Sequence, residues 1–114
     1  MQPLCIALPV QPGQTQALRE FVNSLRQARW IEYEEFQRRC RVSKVTWCLQ
    51  RSPQGDQFVI YNEAEDFVRL MSDFAASTHS FDVWFRQKLT EITGIDFTRF
   101  ESSQLPEQLL TFGY

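Results

Sequence analysis

Hydrophobic and polar positions along the chain switch repeatedly between a two-residue and a 3.6-residue rhythm. The opening run Leu4-Cys5-Ile6-Ala7-Leu8-Pro9-Val10 reads as a short strand, and Gln11-Pro12-Gly13 ends it before a helical pattern begins. Leu18, Phe21, Val22, Leu25 and Ala28 then recur at helical spacing, and the stripe continues through Tyr33, Phe36 and Cys40. This predicts one long amphipathic helix or two with a bend, with Trp30 and Ile31 off the stripe as a contact site. Val45-Thr46-Trp47-Cys48-Leu49-Gln50-Arg51 and Gln57-Phe58-Val59-Ile60-Tyr61 are rich in β-branched and aromatic residues. The turn-forming Ser52-Pro53-Gln54-Gly55-Asp56 between them predicts a hairpin.

A further helix is expected with Phe67, Leu70, Met71 and Phe74 on one face, and Glu63, Glu65 and Asp66 near its start favour the helix dipole. Ser80 is the expected N-cap of the next helix, whose face is Phe81, Trp84, Phe85, Leu89 and Ile92 and whose end is Gly94. Residues 95–114 hold Leu109, Leu110 and Phe112, enough for a last strand. The order of elements predicts an α+β, ferredoxin-like βαββαβ fold with an antiparallel sheet, occupying residues 1–114 as a single domain.

In such a fold the helices cover one sheet face and the other meets water, so strands should alternate apolar and polar. Here Leu4, Ile6 and Leu8 oppose Cys5 and Ala7, and Phe58 and Ile60 oppose Val59 and Tyr61, so both sets are apolar or nearly so. A homodimer closing sheet against sheet is the expectation.

Composition narrows the chemistry. The net charge of -2 has the wrong sign for neutralising phosphates, and nucleic acid is not an expected partner. Glutamates interleave with Arg38-Arg39-Cys40-Arg41, which reads as a solvated, salt-bridged helix surface. No run approaches the roughly 20 apolar residues of a membrane span, and the opening lacks a cationic leader. The expected location is therefore the cytoplasm, with no membrane partner. Cys5, Cys40 and Cys48 lack metal or redox spacing and read as buried free thiols. With no phosphate-cradling or dinucleotide motif, no cofactor is expected.

Beyond this element order, the run Phe74-Ala75-Ala76-Ser77-Thr78-His79-Ser80-Phe81-Asp82-Val83-Trp84-Phe85 resembles the dimeric α/β-barrel superfamily, which includes antibiotic-biosynthesis-type monooxygenases. The opening Cys5-Ile6-Ala7-Leu8-Pro9-Val10-Gln11-Pro12-Gly13, together with Trp47-Cys48-Leu49-Gln50-Arg51 and Leu105-Pro106-Glu107, is similar to a bacterial branch of it. The resemblance implies two sheets paired into a barrel and a sheet-helix cleft that takes small aromatic ligands, haem or polyketide-like substrates. Haem-degrading members carry a histidine near the end of the helix after the third strand, a place comparable to His79; they also use an asparagine on the first strand, and residues 4–10 contain none.

The candidate site follows from the aromatic share of 14%. Trp47, Phe74, Phe81 and Trp84 are expected to line a cleft for a small, flat, mainly apolar ligand, with Arg51 as a polar anchor. His79 and Tyr61 are the candidate catalytic residues for a cofactor-independent oxygenase or isomerase. The alternative is a non-catalytic dimeric module contacting another protein through Trp30, Ile31 and the arginine-rich helix end. A further alternative is haem binding through His79. Asp82 and Glu91 are too far apart on one helix to form a carboxylate pair and read as solvated charges.

Overall fold

The computed structural model describes residues 1–114. Strand β1 (Gln2–Pro9) is followed by helices α1 (Thr15–Arg26) and α2 (Trp30–Arg39), the hairpin β2 (Val42–Gln50) and β3 (Gln57–Ala64), and helices α3 (Phe67–Ala76) and α4 (Ser80–Thr93). The sheet is antiparallel with order β1-β3-β2, so β1 and β2 flank the central β3 and the helices are segregated to one side.

The long helical stripe is divided between α1 and α2 at residues 27–29, and each helix presents its apolar positions to the sheet: Leu18, Phe21 and Leu25 from the first, Tyr33 and Phe36 from the second. Helix α3 starts at an Asp66 cap whose carboxylate accepts the Arg69 N–H at 3.1 Å. Glu63, expected at the helix start, belongs to β3 instead, because the strand runs to Ala64. The cap of α4 is His79 rather than Ser80: its Nδ1 accepts the Phe81 N–H at 3.3 Å, and Ser80 is the first helical residue. Gly94 ends α4 in the left-handed conformation, φ +76°, as its position in the sequence predicts.

Alternation sorts the strands cleanly. Leu4, Ile6, Leu8, Val45, Trp47, Leu49, Phe58 and Ile60 face the helices, and Cys5, Ala7, Thr46, Cys48, Val59 and Tyr61 face away. The second set forms cross-strand rows, Cys5 with Tyr61 and Thr46, Ala7 with Val59 and Cys48, and nothing in this chain covers it. Cys5 and Cys48 are therefore exposed, which corrects the expectation of buried thiols; only Cys40 is partly sheltered. Burial pushes the Cys40 thiol up to about 12.

The outer edge of β1 is unpaired. The Val10 N–H donates to Asp56 on the β3 side at 3.0 Å, so even-numbered amides point inward, and Pro3 and Pro9 fall on the outward parity where a missing N–H breaks no ladder bond. The strand expected in residues 95–114 does not form in the single chain. Residues 95–105 turn back over the core with Phe97 packed against it, a 3₁₀ turn spans Ser102–Gln104, and Leu109, Leu110 and Phe112 stand in solvent. The tail has the apolar composition of a strand but does not pair with the free edge of β1.

Candidate functional site

A cavity of about 250 Å³ lies between the helix-facing side of the sheet and the helices. Ile6, Leu8, Val45, Trp47 and Ile60 form its floor, and Phe36, Cys40, Leu70, Met71 and Phe74 form its helical walls. Ile95, Phe97, Phe100, Leu105 and Pro106 line the remaining, partly open side, so the segment after α4 is part of the chamber. The volume lies just below the roughly 300 Å³ of the smallest typical ligand sites.

Few polar groups reach this space. The ionisable ones are Cys40, Asp96 and Arg99. Asp96 and Arg99 sit together, their charged atoms 3.8 Å apart, and Arg99 is exposed. The Thr98 hydroxyl and N–H both donate to Asp96 at 2.6 and 2.9 Å, and these bonds hold its carboxyl below the usual range. The neutral groups are Gln37, Asn62 and Gln104. Gln104 is engaged through its Oε1, which accepts the Glu101 N–H at 2.9 Å.

Asn62 differs from its neighbours. It stands on the helix-facing side of β3 in register with Leu4 and Val45, on a strand face otherwise occupied by Phe58, Ile60 and Ala64. Its amide makes no hydrogen bond within the protein and remains accessible from the cavity. Sequence reasoning missed it, although its parity with Phe58 and Ile60 was visible.

The sequence-predicted residues are dispersed. Trp47 and Phe74 line the cavity. Phe81 is buried in the core, its ring 5.6 Å from those of Phe36 and Phe85, and its side chain is outside the lining. Trp84 packs on Phe21 and is covered by the Arg29 guanidinium 3.9 Å above its ring. Arg51 is at the hairpin turn, 3.7 Å from Asp56, away from the cavity. Tyr61 lies on the open sheet face, so the expectation that it meets Trp47 in one cleft is corrected by the period of two along β3 and β2. Burial and the nearby Glu63 carboxylate raise the Tyr61 hydroxyl above its ordinary value, leaving it a donor rather than a base. His79 caps α4 and does not line the cavity.

Beside His79 is a polar joint that sequence reading took for solvated charge. Asp82 is 3% exposed. Arg39 grips it with two bonds of 2.9 and 3.0 Å, and the Ser77 hydroxyl donates a third at 2.6 Å. Arg86 donates to the Phe74 and Ser77 carbonyls, both at 2.7 Å, closing the end of α3. Every one of these groups is engaged within the fold, so the joint fixes α2, α3 and α4 to one another. The remaining arginines do form the expected surface pairs, Arg29 with Glu32 and Arg38 with Glu34. Trp30 and Ile31 are 49% and 81% exposed.

Comparison with known protein families, curated proteins and solved structures finds no match. No helix is long and apolar enough to cross a membrane.

Proposed function

We propose that the protein binds a small, mainly apolar molecule in the sheet-helix cavity. The observation that carries this reading is the chamber itself: a partly open cleft of about 250 Å³ whose walls come from the sheet, α2, α3 and the segment after α4. The chamber is partly open to solvent, and a concave, mainly apolar cleft with a few polar groups is the usual form of a small-molecule site. With Cys40 held neutral and the Asp96 carboxylate tied to Thr98, the chamber supports binding and places no acid–base pair at its centre. The flat fluorophore 1-aminoanthracene is a direct probe. Its emission should rise saturably on mixing with the protein, and Leu70→Trp, which fills the cavity, should abolish the rise while retaining cooperative unfolding. Equal enhancement in both proteins would overturn the reading.

The working form is a homodimer in this proposal. Cys5, Ala7, Val59 and Cys48 make a flat, weakly polar patch bounded by Lys44, Glu63, Gln50 and Gln57, the anatomy of an interface with an apolar centre and a polar rim. Closing two such faces on each other gives the dimeric α/β barrel that the sequence resembles. The tail carrying Leu109, Leu110 and Phe112 would supply the fourth strand of the ferredoxin-like sheet along the free β1 edge. Light scattering should return twice the protomer mass of 13.5 kDa at micromolar concentration. Val59→Lys should return one protomer and make Cys5 and Cys48 react rapidly with maleimide. A single-protomer mass for the unmodified protein would remove the dimer.

A further inference from the structure

We propose that Asn62 selects the cavity's ligand by hydrogen bonding one neutral polar group on it, so that the ligand class is a compact hydrocarbon frame bearing a single hydroxyl or carbonyl. This inference rests on the binding role proposed above and adds the chemistry of recognition.

An amide on an apolar sheet face is a costly residue unless something bonds it. Placing a polar group among hydrocarbon without a partner costs about 1–3 kcal/mol in proteins. Leu4 and Val45 flank Asn62 across the sheet and offer no side-chain partner, while Ile60 and Ala64, two residues away on the same face, offer none either. The amide is not sealed from solvent, so a ligand that displaces water from the cavity must replace its bonds. The amide presents both donors and an acceptor, and so matches a hydroxyl, which needs one of each, or a carbonyl, which needs a donor.

The rest of the lining excludes a charged ligand. The Cys40 thiol is neutral, and the only cation on the wall, Arg99, is exposed and already beside Asp96. A carboxylate carried to Asn62 would leave water for mainly hydrocarbon walls with only neutral amides in compensation, an unfavourable exchange. A pure hydrocarbon would fit the walls but leave Asn62 unbonded. The intermediate case, one uncharged polar atom on an apolar body, satisfies both constraints.

Titration calorimetry with propylbenzene, 4-propylphenol and 4-propylbenzoate separates these cases. The phenol should bind about tenfold more tightly than the hydrocarbon, the ratio expected for one satisfied buried bond, and the benzoate should bind least. Asn62→Leu should abolish the phenol's advantage, leaving it bound no more tightly than the hydrocarbon, while retaining hydrocarbon binding, which also shows that the variant is folded. Equal affinities in the unmodified protein, a phenol preference that survives in Asn62→Leu, or benzoate binding as tight as the phenol would each overturn this inference and leave the cavity reading standing. Binding of none of the three would overturn both.

Discussion

Phe85→Ala is expected to cost about 3–5 kcal/mol, enough to lower the unfolding midpoint by roughly 10–20 °C in a domain of this size. The side chain is at the junction of every layer. Its ring lies 5.4 Å from Phe21, 6.1 Å from Tyr33, 5.1 Å from Phe36, 6.0 Å from Trp47, 5.8 Å from Phe74 and 5.6 Å from Phe81, so one truncation removes contacts to α1, α2, β2 and α3 and to its own helix. It also borders the cavity, and the space it vacates would merge with an existing void rather than collapse. Thermal unfolding followed by near-ultraviolet circular dichroism measures the shift. A loss under about 1 kcal/mol would mean that the aromatic cluster repacks freely, contrary to the interlocked geometry.

Arg39→Ala should cost about 3 kcal/mol at neutral pH, far more than the roughly 0.5 kcal/mol expected for Arg38→Ala on the same helix turn. The difference lies in the partners. Arg38 meets Glu34 in solvent, whereas Arg39 holds the sheltered Asp82. Burial alone would raise the Asp82 carboxyl; the two Arg39 bonds and the Ser77 hydroxyl outweigh it and keep the group below its ordinary value. A lowered folded pKa contributes stability that is fully present above the unfolded value of about 3.9 and is lost as pH falls through the folded one. The gap between the two proteins should therefore be widest near pH 7 and narrow progressively as pH falls from about 4 toward the lowered folded value of Asp82. Urea unfolding at pH 7 and pH 3.5 tests this, and a gap that is small or indifferent to pH would contradict the assigned role.

Much of the architecture is legible in the periodicities. The alternation through Phe58, Val59, Ile60 and Tyr61 reports both the strand and its two faces, and the spacing of Phe81, Phe85, Leu89 and Ile92 reports the buried side of α4. Gly94 marks its end because the left-handed conformation there suits a residue without Cβ. The site was less legible, for a different reason. Grouping aromatics by type put Tyr61 with Trp47, while the strand period sends them to opposite sides of the sheet.

What closes the cavity depends on contacts distant in sequence. Phe97 packs 6.5 Å from Phe74, and Leu105 and Pro106 reach the same chamber, from a segment with neither helical nor strand rhythm. Asp82 likewise looks like surface charge until α2 brings Arg39 across to it, a pairing 43 residues apart. The tail has the apolar side chains of a strand, yet it leaves the free edge of β1 unoccupied.

The edge prolines of β1 have a bearing on solubility. Between Pro3 and Pro9 the outward parity leaves amide donors at Cys5 and Ala7 alone, so a strand arriving from outside finds a short foothold in a single register. A brief segment of matched length can dock there, but a long strand cannot pair along the whole of β1, so this side of the sheet is guarded against edge-to-edge stacking.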